Sequence, residues 1–223
     1  MAKVEDVQEG AASGWRHRAV SKSLSAARTR AEQRVQRLLD AAFELIDERG
    51  TTEFTIQEVV DRSKQSLRGF YQYFEGKDEL LFALLEETIR ESSADIRKAV
   101  ESESEPIARL RAFTIRLHEW CEPLGRGRKR GAHNRLPLSE FSLGLAVRDP
   151  DRLATVMAPI SRLLVELLDA AVAAGAIQAT ETQRTAVLIQ QTVMYSWMMN
   201  RLAQRVRVTA EDAWQFCLHG IGG

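Results

Sequence analysis

TIQEVVDRSKQSLRGFYQYF, residues Thr55–Phe74, carries more structural information than any other stretch of the chain. Thr55 stands three residues ahead of Glu58, the spacing at which two side chains reciprocally satisfy the free backbone donors of a helix start. A helix is therefore expected from Ile56, with Ile56, Val59 and Val60 on one apolar face while Gln57, Asp61 and Arg62 point to water. The pattern breaks at Ser63-Lys64-Gln65. Ser66 then caps a second helix in which Leu67, Phe70, Tyr71 and Phe74 recur at i, i+3, i+4 and i+7. Two short helices joined by a tight turn with a shared apolar side read as a helix-turn-helix.

In such a motif the second helix enters a DNA major groove and its N-terminal residues meet base edges. Here those are Gln65, Ser66, Leu67 and Arg68. Arginine offers a fork to the two acceptors of guanine, and glutamine matches adenine. The hydroxyls of Tyr71 and Tyr73 and the ammonium of Lys77 suit phosphate oxygens.

The capped Thr55-Ile56 start, the run Phe70-Tyr71-Gln72-Tyr73-Phe74 and the segment Gly76-Lys77-Asp78-Glu79-Leu80-Leu81 together resemble the TetR-type transcriptional repressors, over roughly Thr29 to Leu85. The resemblance implies an all-α protein with an N-terminal three-helix helix-turn-helix head, followed by a helical-bundle domain for ligand binding and dimerisation. It implies double-stranded operator DNA, a second copy of the chain and a small apolar effector as partners, with no cofactor. The DNA-contacting set it implies is Gln57, Lys64, Gln65, Ser66, Leu67, Arg68, Gly69, Tyr71, Gln72, Tyr73 and Lys77. The effector pocket it implies is lined by Leu84, Phe113, Leu117, Trp120, Phe141, Met157, Met194, Tyr195 and Met198. Taken singly, such aromatic and methionine residues are also ordinary core packing.

Three residues depart from the family's habit. Lys64 stands where glycine is usual in the turn, Gln65 where an apolar residue is usual, and Gly69 where a small or hydroxyl residue is usual. A non-glycine residue at positive φ costs roughly 1 kcal/mol, so the turn is expected to differ in geometry. Gly69 weakens the second helix by roughly 0.5–1 kcal/mol relative to alanine.

The 31 basic and 31 acidic residues balance over 223 positions, so net charge gives no hint of nucleic acid. Distribution says more. Between Ala11 and Asp40 lie Arg16, Arg18, Lys22, Arg28, Arg30, Arg34 and Arg37 against Glu32 and Asp40. This reads equally as an arm that tracks phosphates and as a solvated tail. Hydrophobic residues at 44% and charged residues at 28% fit a water-soluble globular chain. No apolar run reaches the ~18 residues of a membrane span, and the N-terminus lacks a signal-peptide core. Cys121 and Cys217 form no spaced framework, consistent with free thiols in a reducing cytoplasm.

Residues 1–28 show no periodicity and are expected to form a flexible basic arm. The helix-turn-helix domain then spans 29–76, opening with a helix capped by Thr29 and Glu32 that stops at Gly50. The effector and dimerisation domain spans 77–223. Its first helix, from Asp78 to about Glu101, belongs mechanically to both domains. Helices follow from Pro106, across Ser139–Ala146, from the Asp149-Pro150 cap to Gly175, from a Thr180/Gln183 capping box to about Gln204, and from Thr209. The segment 122–137 reads as a basic loop, in which Gly125–Gly131 is a mobile stretch before it is a DNA contact.

Enzyme motifs fail on inspection. Between Gly69 and Gly76-Lys77 lie six residues where a phosphate loop needs four, and Asp78 follows where serine or threonine would bind magnesium. No G-x-S-x-G or H-E-x-x-H occurs. His118 and Cys121 share a helix face but lack a second ligand pair, so no metal site is expected. The reading is a DNA-binding regulator and not an enzyme. An architectural or adaptor protein without an effector, and a helical enzyme with a polar cavity, are the alternatives.

Overall fold

A computed structural model of the chain describes residues 5–121, 136–178, 181–202 and 207–222. All regular structure among them is helical: α1 (Glu5–Arg49), α2 (Ile56–Ser63), α3 (Leu67–Phe70), α4 (Lys77–Glu101), α5 (Pro106–Cys121), α6 (Leu136–Arg148), α7 (Pro150–Ala173), α8 (Thr182–Leu202) and α9 (Ala210–Gly220). None of these helices is long and apolar enough to cross a membrane.

Side chains bury into two clusters. The first joins Leu38, Ala42, Leu45 and Ile46 of α1, Val59 and Val60 of α2, Phe70, Phe74, and Leu80, Leu81 and Leu84 of α4. The second joins Phe82, Leu85, Ile89, Ile96 and Val100 of α4 to Leu110, Phe113 and Leu117 of α5 and to the inner faces of α7, α8 and α9. Helix α4 thus serves both cores, as its position in the chain implied.

The start of α2 forms as its sequence spacing predicts. The Thr55 amide donates to Glu58 Oε2 at 2.7 Å, and the Glu58 amide donates to Thr55 Oγ1 at 3.2 Å. Arg49, at the end of α1, pairs with the same carboxylate and so locks α2 to α1. Arg49, and after it the Thr55 amide and hydroxyl, draw the Glu58 carboxyl down from an ordinary 4.5 to about 2. A depressed carboxyl contributes stability that is complete above its unfolded value and is lost as pH falls through its folded one. The difference in thermal midpoint between the wild type and Glu58→Gln is therefore expected to be full above pH 4.5 and to close as pH approaches 2. A pH-independent difference would show that the charge is irrelevant.

The turn keeps left-handed geometry despite lacking glycine. Lys64 sits at φ 55°, ψ 40°, and its amide donates to Asp61 O while the Gln65 amide donates to Val60 O at 3.0 Å. The expected difference in turn geometry does not occur: the hydrogen bonds that close α2 hold the lysine in that region. At the end of α1 the same conformation falls on Gly50, at φ 69°.

Two local expectations change. Residues 5–28 form the first half of α1, not a flexible arm, and Thr29 lies inside that helix, its hydroxyl donating to Ser25 O at 3.1 Å instead of capping. Alanine, arginine, glutamine and glutamate favour helix without tertiary contacts, and Arg28 pairs with Glu32 one turn on. The second helix of the motif is also shorter than expected. It ends at Phe70 with Tyr71 as its cap, and the Tyr73 and Phe74 amides both donate to Phe70 O at 3.0 Å. Gly69 and the aromatic run are weak helix formers.

Asp149 caps α7 through the Arg152 amide at 3.1 Å, and Thr209 caps α9 with Asp212, both as expected. Thr180 and the segment 122–135 lie outside the described residues.

Candidate DNA-contact surface and ligand cavity

The motif's outer surface is built by its cap and its core. Ser66 Oγ accepts the Gly69 amide at 3.0 Å, which starts α3, while Phe70 is fully buried beneath it. A Cβ on Gly69 would lie 3.2 Å from that same Ser66 oxygen, so a glycine lets the cap close without displacement. With Phe70 facing inward, Leu67, Arg68, Tyr71 and Gln72 face solvent, Leu67 being 44% and Tyr71 54% exposed. Arg68 makes no hydrogen bond or ion pair among the described residues, which leaves its guanidinium free for a base edge.

Other residues of the implied set are committed elsewhere. Gln65 donates its side-chain amide to Arg34 O in α1 at 2.9 Å, which braces the turn against α1 and removes that donor from base reading. Gln57 is exposed and bonded to Asp61 at 2.7 Å. Lys77 holds its ammonium 5.0 Å from the centre of the Phe54 ring, and Tyr73 packs partly buried against the head core. Lys64 is exposed beside the cap. Of the implied set, Lys64, Leu67, Arg68, Tyr71 and Gln72 are thus exposed without a side-chain hydrogen bond among the described residues.

In the second domain a cavity of about 260 Å³ opens between α4, α5, α6, α7 and α8. Trp120, Met157, Met194 and Tyr195 line it. Phe113 and Leu117 do not; both are buried in the surrounding core. Phe141 packs between the two cores and under Arg148, and Leu84 lies wholly within the head core, one residue away from the lining residue Leu85. The side chain of Met198 lies outside the described part of α8. Lining residues not anticipated include Thr88, Leu138, Ser142 and Gln190. A signal for the α8 wall was present: Val187, Gln190, Gln191, Met194 and Tyr195 repeat at helical spacing, and the glutamines hid the stripe.

Leu138 is shared. It lines the cavity and is also a fully buried member of the head core. Below it on α6, Arg148 reaches Asp78 of α4 at 3.4 Å. No group of three or more histidine, cysteine or acidic side chains placed to hold a metal occurs among the described residues.

Residues 38–84 match the family model for bacterial regulatory proteins of the tetR family. The chain is 30% identical over 80 residues to the HTH-type transcriptional regulator BetI of Brucella canis, a match covering 36% of this chain and 40% of that one. It therefore spans less than half the length of the curated relatives it matches. Among solved structures, the fatty acid degradation regulator FadR of Bacillus halodurans superposes with a TM-score of 0.61 at 17% identity, covering 82% of this chain and 94% of that one. The regulator RolR, solved in complex with resorcinol, superposes with a TM-score of 0.61 at 17% identity, covering 87% and 90%. The likeness of fold thus continues well beyond the N-terminal segment, residues 38–84, that is similar to the tetR family of bacterial regulatory proteins.

Proposed function

We propose that the chain is a sequence-specific DNA-binding transcriptional regulator that works as a homodimer in the cytoplasm and is released from its operator by a small apolar effector. The observation that carries this reading is the outward set Leu67, Arg68, Tyr71 and Gln72 on a capped helix braced by the head core, with α4 leading from that core to the cavity. The cavity favours an effector-responsive regulator over an adaptor without one.

Arg68→Ala tests the reading face. It is expected to cost about 1–3 kcal/mol on the specific site and less on random DNA. An unchanged ratio of specific to random affinity would show that Arg68 reads no base.

Dimerisation follows from what one head can do. A single head covers too little duplex for tight binding, and two-fold dimers place two heads on half-sites roughly 34–36 Å apart. The partner surface is assigned to α8 and α9, where Leu188, Met199 and Phe216 are exposed. Sedimentation of a stable monomer at micromolar concentration, unaltered by DNA, would remove it.

The basic N-terminal half of α1 is assigned to phosphates. Gln65 ties the turn to Arg34 of that helix, and Arg18, Lys22 and Arg30, earlier on the same helix, are exposed. Replacing Arg18, Lys22 and Arg30 by glutamine should flatten the plot of log affinity against log salt by about 0.9 for each phosphate no longer neutralised, on specific and random DNA alike. An unaltered slope would return this half-helix to solvent.

A further inference from the structure

We propose that the cavity takes an uncharged, compact, mostly apolar molecule bearing one hydrogen-bond-accepting oxygen, such as a cyclic ketone, and that the Gln190 side-chain amide reads that oxygen. The proposal rests on the effector reading above and narrows it to a ligand class.

Size sets the first limit. At about 260 Å³ the cavity exceeds the ~150 Å³ that encloses a benzene and lies below the usual range of drug-sized pockets. It fits one or two fused rings.

Charge sets the second. Among the described lining residues there is no aspartate, glutamate, lysine, arginine or histidine. A buried ion without a counter-charge is strongly disfavoured, and these residues offer none to a carboxylate or an amine.

The third limit comes from where the lining polar groups already point. The Ser142 hydroxyl donates to Ser139 O at 2.7 Å and is spent. Ser161 lies behind the α8 wall, its hydroxyl 2.9 Å from Gln190 Oε1 and 3.3 Å from Met157 O. Its single proton goes to the nearer acceptor, the amide oxygen. That bond turns Gln190 Nε2 toward Met194, whose sulfur, a weak acceptor, lies 3.8 Å away. The reverse orientation of the amide would set oxygen against sulfur with no hydrogen between them. An amide donor that faces a thioether on the wall of an apolar cavity gains most from a neutral carbonyl or ether oxygen.

The test uses the full-length protein without DNA and three matched probes: 1-tetralone, tetralin and tetralin-1-carboxylate, titrated by calorimetry. Tetralone is expected to bind once per chain, roughly tenfold more tightly than tetralin, the worth of one neutral hydrogen bond. The carboxylate is expected to bind at least about a hundredfold more weakly than the ketone. Gln190→Leu should bring tetralone and tetralin to equal affinity, and Met157→Trp, which fills the cavity, should abolish both. Ser161→Ala, which frees the amide to turn, should shrink the preference for the ketone. The proposal is overturned if the carboxylate binds as well as the ketone, if no probe saturates the wild type, or if Gln190→Leu leaves the ratio of ketone to hydrocarbon unchanged. Because DNA is absent, this pattern can hold even where operator release fails, and operator release can succeed with a ligand of another class.

Discussion

Phe70→Ala is expected to remove much of the head's stability, so that operator binding is lost at low denaturant, whereas Arg68→Ala, two residues away, should leave the fold intact. Phe70 is fully buried, stacks edge-on to Tyr71 with ring centres 5.4 Å apart and lies 5.5 Å from the ring of Phe74. It is the pin between α3 and the leucines of α1 and α4. Truncating a buried phenylalanine costs about 3–5 kcal/mol through reduced burial and the cavity left behind. The whole stability of a domain is commonly about 5–15 kcal/mol. In denaturant the variant should show an early transition, reported by loss of operator affinity, while the second domain, whose core contains no residue of α3, unfolds later. A single transition at the wild-type midpoint would mean that the packing around Phe70 contributes little.

The second large effect concerns the link between cavity and head. Filling the cavity by Met157→Trp is expected to weaken operator binding by up to about 100-fold, equivalent to ~2.7 kcal/mol, by imitating a bound ligand. A ligand shifts an equilibrium only through different affinities for the two states, so operator DNA must weaken effector binding by the same factor. Helical spacing alone would run this link through Leu84, Leu85 and Ile89. Leu85 and Ile89 do line the cavity, but Leu84 faces the head, and Leu138 is the side chain that belongs to both places. Displacing α6 to admit a ligand would withdraw Leu138 from among the residues that support α3. In a double-mutant cycle, Leu138→Ala should therefore reduce the effect of Met157→Trp on operator affinity to within about fivefold, after its own effect on stability is subtracted. If the two substitutions are strictly additive, α6 carries no part of the coupling.

The head was legible because its signals are local. Thr55 with Glu58, Ser66 and Gly50 each act within a turn or two of chain, and each forms the contact its spacing implies; of the aromatic run only Phe70 and Phe74 bury, while Leu67 and Tyr71 face solvent. The cavity was legible only in part. Trp120, Met157, Met194 and Tyr195 announce themselves by size and flexibility, whereas Thr88, Ser142 and Gln190 look like ordinary polar residues until the helices around them are placed. The chemistry of Gln65 allows a base contact; its bond to Arg34, 31 residues earlier, is a tertiary fact that no local spacing contains. Leu138 was missed for the same reason. The length of α1 was missed because its first half has helix-forming composition with much of its surface in solvent, and apolar periodicity detects only helices that bury a face.

Helix α4 has a mechanical consequence. Its 25 residues make a rod about 37 Å long at 1.5 Å per residue. One end is gripped by the head through Leu80, Leu81 and Leu84, and the rest by the second domain through Ile89, Ile96 and Val100. Such a rod cannot spin about its axis without pulling leucines from one core or the other, so the cheap motion left to it is a tilt. Pivoting at its far end, a tilt of roughly 5° carries the head about 3 Å, and mirrored across a two-fold dimer it alters the separation of two reading helices by up to about 6 Å. Against a groove spacing of roughly 34–36 Å that is enough to put one head out of register. Small displacements at the cavity are geared up by the length of this rod, so under the proposed release a ligand need move its immediate neighbours by only a fraction of the distance that would separate bound from released.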